Sequence, residues 1–397
     1  MSELALYGGT PVFEKRIGYG RQYIDDADIQ AVVSVLKSDF LTCGPKIEEA
    51  EQKLCAITGA KHAVLVSNGT AALHAACYAA GIGEGDEVIT TPITFAASAN
   101  CVLYCGGTPV FADLNPETYN IDPEKIEEKI TERTKAVIAV DFTGQAAELG
   151  RIREICRRHH LILIEDAAHS LGTKYDGIPV GNIADLTTFS FHPVKTCTAG
   201  EGGAILTNED ALYQKLTLFR THGITRAPEA MDRPSEGGWY YQQLELGFNY
   251  RMTDLQAALL ASQLDKLEAF GTRRKELVKR YDDAFSKMPE LTIQKEIPQS
   301  DTVRHLYLLQ LKLEMLRCTR REAFEALQAE GVGVNVHYIP VYSFPYYQKL
   351  GYEMGSCPNA EHLYERLISI PLFYSMTDEE ANQVIAAVQK VIHYFKA

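Results

Sequence analysis

The sequence predicts an α/β protein with a large, doubly wound, mostly parallel sheet and a smaller second domain. First, short apolar segments alternate with longer helix-like segments through the first two-thirds of the chain. Second, the apolar segments are near-continuous runs of Val, Ile and Leu, which is typical of parallel strands covered by helices on both faces. Third, 397 residues with 46% hydrophobic side chains can build a large core or two domains.

The elements of the large domain follow in chain order. We expect strands over 62–67, 86–92, 109–114, 135–144, 161–170, 184–191 and 202–208. Helices are expected between them over 70–83, 94–107, 123–133 and 148–160.

A change of pattern marks the end of the large domain. Residues 224–245 are rich in prolines, glycines and charges and are expected to form a long loop, a kind of segment that is commonly functional or mobile. A helix over 252–270 leads out of the domain, and a short strand over 307–313 belongs to a smaller α+β domain. We expect residues 1–255 to form the large domain and residues 256–397 the helical linker and the small domain.

Composition excludes several classes of protein. The net charge of −13 argues against a nucleic-acid partner. We expect no signal peptide and no membrane span, because glycines and a proline break the N-terminal segment and no apolar run approaches 18 residues. Nine scattered cysteines do not suggest a disulfide framework, which points to a reducing cytoplasm. Cys101 and Cys105 are four residues apart, but nothing else at ligand spacing accompanies them, so we expect no metal site.

Glycine-rich segments do not carry a nucleotide fingerprint. The segment 81–87, "GIGEGDE", follows a helix and does not fit G-x-G-x-x-G, and no phosphate loop of the G-x-x-x-x-G-K-[ST] type occurs. A nucleotide-dependent oxidoreductase of this fold would lack its usual motif.

Three other features converge on one kind of chemistry. Asp166 stands at the end of the apolar strand "LILIE", where α/β sheets place ligands. Gly69 and Thr70 open a helix after a strand, so free N–H groups could accept a phosphate. Lys195 follows a strand that ends at Ser190 and is surrounded by small residues. An acid, a phosphate cradle and an isolated lysine are what pyridoxal phosphate requires.

Each feature also has a structural explanation. An aspartate after a strand is often a helix cap, Gly-Thr is common at helix starts, and a lone lysine is usually solvated. Only their order along one α/β chain favours the cofactor site.

At these residues the sequence closely resembles the DegT/StrS family of nucleotide-sugar aminotransferases. The resemblance covers nearly the whole chain and rests on ordered stretches, which are "LTCGPKIEEAE", "SNGTAALHAA", "GDEVITTPITFAASAN", "GTPVFADL", "EDAAHSLGTKYDG", "SFHPVKTCTAGEGGAILTN", "GFNYRMTDLQAALLASQL" and "VNVHYIPVY". It implies the fold type I architecture of aspartate aminotransferase and pyridoxal 5′-phosphate as the cofactor.

The resemblance implies roles for two catalytic side chains. Lys195 would form the Schiff base with the cofactor and, once released, move a proton between the substrate Cα and the cofactor C4′. Asp166 would pair with the pyridinium nitrogen and keep it protonated. Some family members carry a histidine in place of this lysine and remove a hydroxyl group instead, so the lysine favours transamination. His192 is a separate position.

Other cofactor contacts are implied in the same way. His169 matches the position near the ring hydroxyl, and Phe95 matches the aromatic residue that stacks on the ring, although both could be core residues. Gly69, Thr70 and Ser190 would bind the 5′-phosphate. Asn249 would reach the phosphate of the neighbouring subunit, which makes a homodimer with shared active sites the expected active unit.

The substrate is implied more narrowly. Residues 90–100 and 334–352 are most similar to family members of pseudaminic acid biosynthesis, which aminate C4 of UDP-2-acetamido-2,6-dideoxy-β-L-arabino-hex-4-ulose. L-Glutamate would be the donor, and the products would be UDP-4-amino-4,6-dideoxy-N-acetyl-β-L-altrosamine and 2-oxoglutarate. Enzymes for other UDP- or dTDP-linked keto sugars share these motifs.

Four further residues are candidates for substrate contact. His337 and Tyr338 could face the sugar nucleotide or pack the small domain. Arg251 or Arg226 could bind glutamate carboxylates or the diphosphate, or be ordinary exposed arginines.

A function of another class is a regulator that binds a sugar nucleotide without turnover. The pair Lys195 and Asp166 argues against it, because a binding protein needs neither residue.

Overall fold

A computed structural model describes residues 3–397. Its strands are β1 (His62–Val66), β2 (Glu87–Thr90), β3 (Thr108–Phe111), β4 (Thr134–Val140), β5 (Ile162–Asp166), β6 (Lys174–Tyr175), β7 (Ile178–Pro179), β8 (Leu186–Ser190), β9 (Gly203–Thr207), β10 (Ile224–Thr225), β11 (Gln242–Gln243), β12 (Leu291–Ile293), β13 (Ser300–Asp301), β14 (Tyr307–Leu311) and β15 (Leu367–Ile370).

The helices connect these strands and cover them. They are α1 (Asp26–Leu36), α2 (Pro45–Thr58), α3 (Gly69–Ala79), α4 (Ala97–Tyr104), α5 (Pro123–Glu127), α6 (Leu149–Arg158), α7 (Asp210–Arg220), α8 (Asp254–Leu264), α9 (Leu267–Phe285), α10 (Arg320–Ala329), α11 (Pro345–Lys349), α12 (Pro358–Arg366) and α13 (Asp378–Phe395).

A seven-stranded sheet forms the centre of the large domain, in the order β1-β9-β8-β5-β4-β2-β3. Strand β9 runs antiparallel to both of its neighbours, and the other pairs in the sheet are parallel. The prediction of an α/β fold with a mostly parallel sheet is therefore confirmed.

Alternate residues of the strands pack into two separate hydrophobic cores, one on each face of the sheet. Leu163 of β5 and Phe189 of β8 pack on one face against α2, α6 and α8. Ile164 and Leu186, which lie one position from Leu163 and three positions from Phe189, pack on the other face against α3, α4 and α7. Because both faces are buried, the strands appear in the sequence as unbroken apolar runs.

A smaller antiparallel sheet, in the order β12-β14-β15, packs with α9, α10 and α13 in the C-terminal domain. Leu4, Phe13 and Ile17 from the N-terminus belong to the same apolar core. Glu330 ties this N-terminal arm down, since its buried carboxylate accepts the N–H of Ala5 at 2.9 Å. The proposed boundary at residue 255 stays a prediction, and the N-terminal arm packs with the residues beyond that boundary.

Two expected helices differ from the observed ones. The helix expected over 123–133 ends at Glu127, and the chain then turns into β4, with the N–H of Thr131 donating to Thr134 Oγ1. The helix expected over 252–270 is divided between α8 and α9. Lys266 lies at the break, where it forms ion pairs with Asp25 and Asp28 of the α1 N-terminus.

The expected loop at 224–245 contains a short hairpin. Strands β10 and β11 pair antiparallel at its base, and a short 3-10 turn lies between them. Within residues 3–397, every helix is too short or too polar to cross a bilayer.

Candidate active site

A cleft of about 890 Å3 lies where β5 and β8 end and α3 begins. This is the edge at which parallel α/β sheets bind ligands, because strand ends and helix N-termini meet there. The opposite wall comes from the N-terminal arm and from residues 335–339. Most of the predicted site residues line this cleft, and three do not.

Lys195 projects into the cleft from the segment that follows β8. Its N–H donates to the carbonyl of His192 at 2.9 Å, which forms a tight turn. Burial lowers the pKa of the Lys195 amine to about 8, although the charge of Asp166 opposes this shift. An amine with such a pKa is partly neutral near physiological pH, as a nucleophile or base must be.

Asp166 is the last residue of β5, and its buried carboxylate faces the same cleft. The Ser98 hydroxyl donates to Oδ2 at 2.6 Å and the N–H of Ala168 donates to Oδ1 at 3.2 Å. Burial raises the pKa of Asp166, while Ser98, Ala168 and Lys195 lower it. Ser98 was not identified from the sequence, although it lies three residues after Phe95 at the start of α4.

The start of α3 offers a cradle for a small anion. Asn68 caps the helix by accepting the N–H of Ala71 at 2.8 Å, and Gly69 and Thr70 follow at the cleft wall. Ser190, at the end of β8, lies so close that a Cβ on Gly69 would be 2.9 Å from the Ser190 Cβ. The glycine thus leaves room for a phosphate beside free N–H groups and a hydroxyl.

His169 and Tyr338 form a hydrogen-bonded pair across the cleft, with 3.2 Å between Nε2 and the hydroxyl. Burial and the charge of Lys195 lower the pKa of His169 well below its usual range, so the ring is neutral. Its Nδ1 is buried without a partner in residues 3–397. Phe95 lines the same cleft and is 62% exposed, so it is available to stack on a planar ring.

The small-domain wall of the cleft is uncharged. Burial lowers the pKa of His337 to about 4, and its Nδ1 is 2.8 Å from Ser369 Oγ. Tyr19 lies against His337 with 5.3 Å between ring centres. His305 also lines the cleft, 4.6 Å from the His169 ring. Tyr19 and His305 were missed, because no local sequence signal places either residue near Lys195.

Three predicted site residues lie outside this cleft. Asn249 is exposed and its backbone pairs with Thr221. The backbone of Arg251 pairs with Val66, and the Arg226 guanidinium lies 4.9 Å from the centre of the Tyr241 ring.

The cleft therefore brings together a lysine of lowered pKa, a buried carboxylate, an anion cradle and an exposed aromatic ring. These groups fit pyridoxal phosphate in size and in chemistry. The cradle suits its phosphate, Asp166 its pyridinium nitrogen, and the unpartnered Nδ1 of His169 a polar substituent of the ring.

Comparison with known proteins agrees with this assignment. The DegT/DnrJ/EryC1/StrS aminotransferase family matches residues 22–389. The spore coat polysaccharide biosynthesis protein SpsC of Bacillus subtilis is 42% identical over 377 residues, which cover 94% of this chain and 96% of SpsC. The UDP-4-amino-4,6-dideoxy-N-acetyl-beta-L-altrosamine transaminase of Campylobacter jejuni is 39% identical over 93% of this chain and 95% of its own length.

A solved structure extends the similarity to three dimensions. The PLP form of the putative sugar aminotransferase Spr1654 from Streptococcus pneumoniae superposes with a TM-score of 0.89 at 30% identity, covering 96% of this chain and 99% of that one. The chain therefore belongs to the DegT/DnrJ/EryC1/StrS family and is a fold type I, pyridoxal-phosphate-dependent nucleotide-sugar aminotransferase.

Proposed function

We propose that the enzyme transfers the amino group of L-glutamate to C4 of a UDP-linked 4-keto-6-deoxy-2-acetamido sugar. The products would be UDP-4-amino-4,6-dideoxy-N-acetyl-β-L-altrosamine and 2-oxoglutarate, as in pseudaminic acid biosynthesis. The observation that carries amino transfer is Lys195, a lysine of lowered pKa that faces the cleft near Asp166. The Campylobacter transaminase supports this sugar.

In the proposed reaction, the cofactor supplies an electrophilic carbonyl for the incoming amine and a ring that accepts electrons from the substrate Cα. Asp166, which accepts the Ser98 hydroxyl, would pair with the ring nitrogen and hold a negative charge there. The Lys195 amine takes the proton from Cα of glutamate and later delivers a proton to C4 of the sugar. One base on one side of the cleft can serve both half-reactions.

The negative charge of the substrates must be met by groups outside this cleft. Among the cleft-lining residues the charged side chains are Asp166, Lys195 and Glu201, so an arginine is absent from the lining within residues 3–397. We propose a homodimer in which Asn249, Arg226 and Arg251 of the second copy contact the phosphates or carboxylates. Their position outside the cleft of their own chain supports this arrangement.

A second candidate substrate is another UDP- or dTDP-linked keto sugar. It is favoured by SpsC, which is 42% identical and carries a spore coat polysaccharide name. A non-catalytic regulator is a further alternative. The burial of Lys195 and its lowered pKa argue against it, because a binding protein does not need a reactive amine.

The test is a panel of UDP- and dTDP-4-keto sugars, each offered with L-glutamate to the loaded enzyme. Product mass and NMR should show amination at C4 of the 2-acetamido-6-deoxy UDP sugar and formation of 2-oxoglutarate. The Lys195→Ala variant is the control and should show no product. Efficient amination of a different keto sugar, with the named one untouched, would contradict the proposed substrate.

A further inference from the structure

Two carboxyl groups lie behind the sheet, on the face opposite to Asp166. In the parallel pair β4 and β5, Val140 is opposite Asp166 and Ala139 is opposite Glu165. Val140 and Asp166 line the cleft, so alternation directs Glu165 and Asp141 to the other face. Both of these acids have 0% exposure.

The two carboxyl groups are close enough for each to affect the pKa of the other. The Ser170 hydroxyl donates to Asp141 Oδ2 at 2.6 Å, and the Thr187 hydroxyl donates to Glu165 Oε2 at 2.8 Å. Oε1 of Glu165 finds no donor among the side chains and backbone groups of residues 3–397. Two carboxylates are only acceptors, so a hydrogen bond between them through the unpartnered Oε1 requires a proton on one of them.

Within residues 3–397, no basic side chain forms an ion pair with either carboxyl group. The hydrogen-bond donors to this pair are the hydroxyls of Ser170 and Thr187 and the backbone N–H of Ala147, and the carboxylate of Asp166 lies nearby. Burial and the neighbouring carboxylate raise the pKa of Asp141 well above its usual range, and burial raises that of Glu165. Two unpaired negative charges in such a place would be strongly destabilising.

We propose that Asp141 and Glu165 share a single proton at neutral pH and act as a positioning pair for the turn that carries Asp166 and His169.

The contacts of Asp141 explain this positioning role. Its N–H donates to the carbonyl of Asp166 at 3.1 Å. Its carboxyl group accepts a hydrogen bond from the Ser170 hydroxyl, at the end of the same turn. Oδ1 also receives the N–H of Ala147 at 2.9 Å, which anchors Asp141 to the start of α6. Asp141 therefore holds the turn at Asp166 itself and at Ser170, and His169 lies between these two points.

The shared proton is tested by infrared difference spectroscopy on the loaded enzyme at neutral pH. Glu165→Gln and Asp141→Asn each reproduce the charge and hydrogen bond of the singly protonated pair. Wild-type minus variant spectra should show a protonated carboxylic acid band for both variants. Asp254→Asn is the matched control, since this buried carboxylate accepts two backbone N–H groups at 2.8 and 3.0 Å and should contribute no such band. Absence of the band for both pair variants would overturn the proposal.

The pH dependence of stability provides a second, independent test of the shared proton. The native pair retains a proton that the unfolded chain releases above about pH 4, so its contribution to stability falls as pH rises. The Tm of wild type minus that of Glu165→Gln should decrease between pH 5 and pH 9. A difference that stays constant with pH would contradict the shared proton.

The positioning role is tested with Glu165→Leu, which removes both the proton and the hydrogen bond. We expect a shifted absorption band of the bound cofactor and a lower kcat at nearly unchanged KM, with Glu165→Gln restoring both. A lower Tm with an unchanged absorption band and kcat would show a merely structural pair. The infrared result does not depend on which sugar is the substrate, so it stands or falls separately from the proposed function.

Discussion

The environment of Lys195 differs from that of an ordinary lysine in both burial and charge. Its desolvation favours the neutral amine, and the nearby Asp166 carboxylate limits the effect, so the pKa is lowered only to about 8. Each of the two residues therefore affects the pKa of the other. The nucleophile Lys195 is in this way coupled to Asp166, the carboxylate expected to pair with the pyridinium nitrogen.

This pKa predicts how fast the cofactor-free enzyme captures pyridoxal phosphate. Only the neutral amine attacks the carbonyl, so the capture rate should rise about tenfold per pH unit below pH 8 and level off above it. Asp166→Asn should move the midpoint to lower pH, because the charge that raises the pKa of Lys195 is removed. Stopped-flow absorbance measures both, and a rate independent of pH from 6 to 9 would refute the assignment.

Ser98 is predicted to act through Asp166. Ser98→Ala removes the hydroxyl that donates to Oδ2 at 2.6 Å, a hydrogen bond to a charged group worth about 1.5–3 kcal/mol. Because the pKa of Asp166 then rises, we expect about tenfold weaker cofactor binding, measured by titration of the cofactor-free enzyme. Ser34→Ala, at an exposed helical serine, is the control and should bind normally. Equal affinities of the two variants would exclude this role.

Elements place these residues together. Strand β5 ends at Asp166, β8 ends at Ser190, and α3 begins at Gly69. The C-terminal ends of two strands and the N-terminal end of a helix therefore meet at one edge of the sheet. The antiparallel strand β9 pairs with both β1 and β8 and brings the start of α3 beside the lysine segment.

The close contact between α3 and β8 predicts the effect of Gly69→Ala. The added Cβ would lie 2.9 Å from the Ser190 Cβ, and overpacking of this kind costs about 1–3 kcal/mol. The strain falls on the anion cradle, so cofactor affinity should drop about tenfold. Gly83→Ala, which has open space around the new methyl group, is the control. An unchanged dissociation constant for Gly69→Ala would contradict the assignment of the start of α3 as the phosphate-binding site.

Sequence reasoning found the elements that have strong local signals. The apolar runs predicted all seven strands of the large sheet, and the expected residues at the ends of β5 and β8 and the start of α3 line one cleft. Tyr19 and His305 were not predicted as site residues, because long-range packing brings them to the cleft. Tyr19 arrives through an N-terminal arm held by Glu330, more than 300 residues away. The short α5 and the division of α8 from α9 depend on tertiary contacts that periodicity does not contain.

At the scale of the whole molecule, no arginine among the described residues 3–397 lines the cleft of one chain, while Asn249 and Arg226 are exposed elsewhere. The overall charge of −13 does not attract a nucleotide diphosphate, so local cations must do so. A second copy of the chain is the simplest source for them.

The proposed homodimer with shared sites predicts complementation between two inactive variants. Lys195→Ala lacks the base and Asn249→Ala lacks the residue offered to the partner, so each alone should be nearly inactive. In a refolded equal mixture, half of the dimers are mixed and each has one intact site, giving about a quarter of wild-type activity. Amination rates measure the recovery. No activity above the sum of the two variants would contradict the shared site.

The most direct measurement is reduction of the loaded enzyme with borohydride, followed by mass mapping of the trapped cofactor. The account predicts one stable adduct, on the Nζ atom of Lys195, and loss of that adduct in Lys195→Ala. A stoichiometric adduct on any other lysine would contradict it.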